Sequence, residues 1–201
     1  MKIVNVLSAL VLGTSVAALS SDPENSQKIP SDLKLGSRCT IIYARHGEKD
    51  GDKLTEQGHR QAEALSQSLL KFEQEYVLDF DSILHSDMNR SLQTARPFKL
   101  AKERIPEPPF EVQNLLRECE KSEARNGVCS QKAKRVLETI QKGYCGRAGA
   151  SEPTTVFVTA HGLLGMFIFR EISKRLFVLD FAEPYVLTSD DGVSFRMIYT
   201  P

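Results

Sequence analysis

Residues 40–48 read TIIYARHGE, and a second stretch, residues 154–162, reads TTVFVTAHG. Each is a short β-branched and aromatic run that ends in a histidine followed by a glycine. The runs predict buried strands over 40–44 and 154–159. A helical pattern follows each one. Ala62, Leu65, Leu69 and Phe72 recur at three- and four-residue steps in a helix over 55–71, with Thr55 as its N-cap. A helix from about Gly162 to Lys174 follows the later strand.

The same alternation fills the middle of the chain. Residues 81–85, DSILH, predict a strand, and a helix runs from Met88 toward Leu100, with Pro97 weakening its later part. Residues 104–129 read as loop, with a short strand near Phe110 to Val112. Ser130 can cap a third helix whose Ala133, Val136, Leu137 and Ile140 share a face; Gly143, Gly146 and Gly149 end it. Two strands, 184–188 and 193–199, flank the turn Asp190-Asp191-Gly192. Strands alternating with helices specify an α/β domain with a largely parallel sheet. The final hairpin adds an antiparallel strand.

Composition narrows the function classes. The 201 residues carry 26 Lys plus Arg against 26 Asp plus Glu, a formal net charge of zero. A bulk nucleic-acid binder needs a basic excess, so nucleic acid is not an expected partner. Hydrophobic residues at 41 % and charged residues at 26 % are ordinary for a globular chain rather than a disordered one.

The N-terminus reads apart from the domain. Lys2, an apolar run from 3 to 19 and the small residues Ala18 and Ser20 form the pattern of a secretory signal peptide over 1–20. The run is interrupted by Asn5, Ser8, Gly13, Thr14 and Ser15 and falls short of the roughly 20 apolar residues of a membrane span, so no stable membrane anchor is expected. Residues 21–38 read as a polar leader and 39–201 as the domain. The expected destination is secreted or periplasmic. Oligomeric state is open.

Four cysteines, Cys39, Cys119, Cys129 and Cys145, form no C-x-x-C pair, so a structural zinc site is not expected. In a secreted chain their even number points to disulfides, with three possible pairings. Cys119 with Cys129 and Cys39 with Cys145 is the favoured set; free buried thiols are the alternative.

Ligands of parallel sheets bind beyond the carboxyl ends of the strands. Those ends carry Arg45-His46-Gly47-Glu48, then His85-Ser86-Asp87 with Arg90 in the next helix, then His161-Gly162. Two arginines and two histidines at one edge suit a phosphoryl group. Guanidinium groups bind its oxygens through paired, charge-assisted hydrogen bonds. Helix N-termini after His46 and His161 add backbone donors. A neutral imidazole can attack phosphorus, and a nearby protonated carboxyl can supply the leaving oxygen with its proton. Of the other histidines, His59 reads as helix surface and His85 as a packing residue near Ser86. Glu48 reads as the partner of a basic neighbour. Asn89-Arg90-Ser91 is formally a glycosylation sequon, read as unused because of its place beside Arg90.

Arg45-His46-Gly47 is followed by Leu54-Thr55-Glu56-Gln57-Gly58 and Gln61-Ala62. Then come Ser86-Asp87-Met88-Asn89-Arg90-Ser91-Leu92-Gln93-Thr94-Ala95, Leu116-Arg117-Glu118 and Ala160-His161-Gly162. In this order the segments resemble the histidine phosphatase superfamily, the phosphoglycerate mutase-like group of branch 1. The resemblance spans about Thr40 to Thr200. It implies a three-layer α/β/α sandwich with a mixed, mostly parallel sheet. It implies His46 as nucleophile, Glu118 as acid and then base, and Arg45, Arg90 and His161 as phosphate ligands, with no metal or other cofactor. The expected activity is hydrolysis of a small phosphorylated substrate through a phosphohistidine. A small open site favours phosphates of sugars, nucleotides or similar metabolites, chosen by the loop from about Lys102 to Cys129. The alternatives are a mutase-type phosphotransferase and an inactive phospholigand-binding module.

Overall fold

The computed structural model describes residues 29–30, 32–102, 108–145 and 153–201. The expected signal segment lies outside them, as do Gly146 and Gly149. In chain order the elements are β1 (Cys39–Arg45), β2 (Lys49–Asp50), β3 (Lys53–Leu54), α1 (Glu56–Tyr76), β4 (Ser82–His85), α2 (Asn89–Ala101) and β5 (Phe110–Val112). Then follow α3 (Lys121–Arg125), α4 (Val128–Ile140), β6 (Thr154–Ala160), α5 (Gly162–Ser173), β7 (Pro184–Ser189) and β8 (Arg196–Tyr199).

Six strands form one sheet in the order β5-β4-β6-β1-β7-β8. The first four are mutually parallel, and β7 runs antiparallel to both β1 and β8. The strands β1 and β6 are buried along almost their whole length because both faces of the sheet are covered. Along β1, Ile41 and Tyr43 enter a core with Val136 of α4 and Leu164 and Phe169 of α5. The alternate residues Ile42 and Ala44 enter a second core with Leu65, Leu69 and Phe72 of α1 and Phe98 of α2. The period-two geometry of one strand thus divides the domain into three layers, α/β/α.

Helix boundaries follow local chemistry. The Thr55 hydroxyl accepts from the Gly58 amide at 3.0 Å and caps α1. The helix passes the expected end at 71 and stops at Val77, which takes a left-handed φ of 50°. Its extra turn is held by Tyr76, whose hydroxyl donates to the Pro30 carbonyl at 2.7 Å and whose ring lies 4.6 Å from that of Phe72. The later part of the expected leader therefore lies on the domain, with Ile29 buried in the α1 and α2 core.

Helix α2 continues through Pro97 to Ala101 because burial holds both sides of the proline: Ala95 and Phe98 are buried, and Phe98 stacks edge-on against Phe80 and Phe157. Helix α4 begins at Val128, before the expected cap, after Gly127 at a φ of 75°. Ser130 instead donates its hydroxyl to Glu171 at 2.6 Å. Part of the expected loop is the short helix α3, closed by a capping box between Glu120 and Glu123. Strand β8 starts later than expected because Asp191 accepts from the amides of Val193 and Ser194 and extends the turn.

Cys39 and Cys145 form a disulfide across 106 residues of sequence. Cys119 and Cys129 are buried free thiols, so the favoured second bridge is corrected. Cys129 sits in the first turn of α4 with its sulfhydryl toward the Glu120 carbonyl at 4.0 Å. Among the described residues, no helix is long and apolar enough to cross a membrane.

The disulfide fixes the start of the central strand to the helical turn over 141–145 that follows α4. A bridge over so long a loop removes much of the entropy of the unfolded chain. Replacing Cys39 and Cys145 together by serine should lower stability by about 2–5 kcal/mol. Urea unfolding of the two proteins measures the difference.

Candidate active site

The site grows from the register of β1 and β6. Arg45 pairs with Ala160, so His46 and His161 leave the sheet side by side. The His46 amide donates to the Ala160 carbonyl at 2.9 Å. The two imidazoles lie 5.2 Å apart between ring centres. His46 is 1 % exposed and His161 fully buried. Burial, with the positive charges of Arg90, Arg45 and Lys49 nearby, pushes His46 down to about 4. Burial also pushes His161 well below the usual imidazole range, with His46 and Arg90 adding to it. Both rings are neutral at neutral pH.

Neutral rings have assignable tautomers. Nδ1 of His46 meets the Gly47 carbonyl at 2.8 Å, and a carbonyl only accepts, so this nitrogen carries the proton. Nε2 keeps its lone pair. Nε2 of His161 meets the Ser86 hydroxyl at 2.8 Å, while its Nδ1 lies 3.7 Å from the Glu118 carboxylate. A lone pair facing a carboxylate is unfavourable, so Nδ1 of His161 holds the proton and Ser86 donates to Nε2. Tyr43 fixes the same residue by donating to the His161 carbonyl at 2.8 Å.

Two arginines complete the cradle. The Arg45 guanidinium donates to the Leu179 carbonyl at 2.9 Å and stacks 3.8 Å over the Phe181 ring. Gly162 makes room for it: a Cβ there would stand 2.9 Å from Arg45 Nε. Arg90 is buried between Asp52 at 3.0 Å and Glu118 at 2.6 Å. The Nε atoms of both arginines and Nδ1 of His161 are buried and without hydrogen-bond partners. Three buried donors without partners, on side chains at one edge of the sheet, favour an anion there.

The loop that carries His46 is tied down by the residues around it. Gly47 and Gly58 meet backbone to backbone; a Cβ on Gly58 would lie 2.0 Å from the Glu48 carbonyl. Thr94 accepts from the Gly47 amide at 3.0 Å, Gln61 from the Glu48 amide at 2.7 Å and Gln93 from the Leu54 amide at 2.8 Å. The first turn of α1 is thus spent on this loop, whereas α5 begins directly after His161. This corrects the expectation of two helix N-termini beside the ligand. The Glu48 carboxylate accepts from the Thr55 hydroxyl at 2.8 Å, and among the described residues it pairs with no cation.

All five expected side chains come together. His46, Glu118 and His161 offer ligand atoms within 4.8 Å of one another, a set that could also hold a metal ion. Cys119, Glu123 and Cys129 form a similar group. Three contributors were missed. Asp52 stands at the tip of the β2–β3 hairpin, where Gly51 takes a φ of 58°, and holds both Arg90 and the Asn89 side chain. Ser86 sets the tautomer of His161, and Phe181 supports Arg45. No motif in the sequence singles out Asp52. His85 packs on Phe110 with ring centres 4.5 Å apart, and His59 is exposed, as expected. The Ser91 hydroxyl of the sequon is buried on the Thr159 carbonyl at 2.6 Å.

The tautomer of His161 depends on one hydroxyl. Nitrogen-15 spectra of labelled protein should show protonated Nδ1 at His161 in the native chain. Ser86→Ala should give a mixture of tautomers, or a shift to protonated Nε2.

Residues 41–125 match the histidine phosphatase superfamily, branch 1. No curated protein matches the sequence. Among solved structures, phosphoglycerate mutase from Plasmodium falciparum is 19 % identical, with a TM-score of 0.58, over 82 % of this chain and 91 % of that one. A mycobacterial glucosyl-3-phosphoglycerate phosphatase, complexed with VO3, is 18 % identical, with a TM-score of 0.61, over 80 % and 97 %. Phosphoserine phosphatase from Entamoeba histolytica, in complex with 3-phosphoglyceric acid, is 16 % identical, with a TM-score of 0.59, over 80 % and 95 %. Over residues 41–125 the chain is thus similar to branch 1 of the histidine phosphatase superfamily, and the fold around that segment is the one these phosphoglycerate mutase-like structures share.

Proposed function

We propose that the protein is a metal-independent phosphomonoesterase that works through a phosphohistidine on His46. One observation carries the reading: Nδ1 of His46 is committed to the Gly47 carbonyl, which leaves Nε2 unprotonated among two arginines and a second imidazole. Nε2 attacks phosphorus as the ester bond breaks. Arg45, Arg90 and Nδ1–H of His161 bind the phosphoryl oxygens as charge develops on them. Glu118, once released from Arg90, takes the proton of the incoming phosphate monoanion, gives it to the leaving oxygen and then takes one from the water that resolves the phosphohistidine.

Glu118 covers the entrance to this chemistry. It lines the cavity over the site, whereas His46 does not. A phosphoryl group reaches His46 by taking the place of the Glu118 carboxylate on Arg90. That exchange releases the carboxyl to sit beside the leaving oxygen. Asp52 stays on the other side of Arg90 and keeps its plane fixed. The signal-like residues 1–20 and the Cys39–Cys145 disulfide support a secreted or periplasmic destination.

The test is phosphate release from an aryl phosphate by residues 21–201 with a chelator present. The expected result is chelator-resistant turnover that His46→Ala abolishes and Glu118→Ala lowers by about 10²–10⁴-fold. Loss of turnover in chelator would favour a metal at His46, Glu118 and His161. Return of the phosphoryl group to product without release of phosphate would favour a mutase.

The pH dependence has a defined sign. A free imidazole loses its lone pair below about 6.5, but His46 keeps its own down to about 4. The part of kcat/KM that depends on His46 should therefore hold from pH 7 to pH 5. Stability moves the other way. Between 6.5 and about 4 the unfolded chain takes up a proton at this histidine that the folded chain does not. Resistance to urea should fall as pH drops through that window.

A further inference from the structure

A cavity of about 650 Å³ opens over Arg45, Arg90 and Glu118. Its size is in the range of sites that enclose a drug-sized ligand. Glu118 fixes what enters it. On the reading above, the leaving oxygen lies beside this carboxyl, so the body of the substrate extends into the same cavity.

The walls of that space are unequal. Met88, Leu163, Met166, Phe177 and Val178 supply side chains from the start of α2, from α5 and from the segment after it. Val178 is 83 % exposed, and its neighbour Leu176 is 64 % exposed. These are large apolar groups at the rim of a site that binds an anion. Arg45 holds the segment in place through the Leu179 carbonyl and the Phe181 ring. The apolar wall is therefore built on the phosphate ligand itself.

Polar recognition is sparse. Among the described residues lining the cavity there is no Ser, Thr, Asn, Gln or Tyr to receive the hydroxyls of a sugar. Of the charged residues, Arg45, Arg90 and Glu118 serve the phosphoryl group. Arg117 reaches Asp87 at 3.8 Å, and Glu120 caps α3. Lys121 lies on the exposed surface. A polyol placed against the apolar wall would give up water without regaining hydrogen bonds there, which is costly. An alkyl or aryl group would bury its surface against the wall and gain from it.

We infer that the substrate is the phosphate monoester of an apolar alcohol or phenol. This rests on the phosphomonoesterase reading and replaces the expectation of sugar or nucleotide phosphates. The loop at 102–129 supplies the acid, and the segment 176–181 supplies the selectivity.

The experiment compares ethyl, butyl, hexyl and octyl phosphate, each as dispersed monomer, with glucose 6-phosphate and 3-phosphoglycerate on residues 21–201. The alkyl leaving oxygens are alike in basicity, so chain length isolates contact with the wall. The expected kcat/KM rises roughly two- to fourfold per methylene. Val178→Asp, at an exposed position that does not endanger folding, should flatten that rise, as should Met166→Asp. The matching n-alkylphosphonates cannot be hydrolysed, and their Kd should fall with the same dependence on length. A flat series in both measurements overturns the inference, and so does a preference for the sugar phosphate or for 3-phosphoglycerate. Hydrolysis of ethyl phosphate with a flat series would leave the phosphomonoesterase reading standing. A length-dependent phosphonate series without any hydrolysis would leave the apolar site standing and remove the enzyme.

Discussion

The in-register parallel pairing of β1 with β6 is the constraint from which the site follows. Because Arg45 lies opposite Ala160, the next residue on each strand is a histidine, and the two rings meet beyond the sheet edge. A slip of one residue would send one ring to the opposite face. The register is protected by cores on both sides, since each slip would also exchange Ile41 and Tyr43 with Ile42 and Ala44. Ordinary apolar packing thereby sets the relative position of two polar groups to a tolerance that neither could impose alone.

Around this pair the chain concentrates cations and donors that burial would otherwise disfavour. Arg90 is 4 % exposed, yet it is flanked by carboxylates from two distant segments, Asp52 and Glu118. Among the described residues no carboxylate forms an ion pair with Arg45; its charge rests on a carbonyl dipole and an aromatic face. The two arginines are thus held by different means. One can exchange an anionic partner, while the other stays fixed in its place. Two neutral imidazoles between them keep the site from adding further positive charge.

Much of this was legible in the sequence because it depends on local pattern. Thr55 announces a helix start by its position before Ala62, Leu65 and Leu69, and its hydroxyl does cap α1. The strands were readable because TIIYA and TTVFVT are short β-branched and aromatic runs followed by His-Gly; each continues one residue past the expected end, to Arg45 and to Ala160. Asp52 was not readable. Its meaning depends on a two-residue hairpin folding back onto α2, a contact across 38 residues. Phe181 was hidden for the same reason, since it becomes a support for Arg45 only after the chain has crossed the domain. Thr94, Gln61 and Gln93 were visible as parts of a familiar pattern, but their role as ties on the 47–54 loop needed the geometry. The cysteines show the limit most plainly: Cys119 and Cys129 lie close in sequence and in space without a bond between their sulfurs.

The contact between Glu118 and Arg90 has a consequence for any anion that enters. The carboxylate is covalently part of the chain, so it competes at a high effective concentration that dilution cannot lower. An incoming oxyanion must outbid this tethered rival on arrival. By the same exchange, the carboxylate can retake the guanidinium as the anion departs. Affinity given up in this way shortens residence time. A strongly cationic pocket is thereby kept from becoming a trap for the anions it admits.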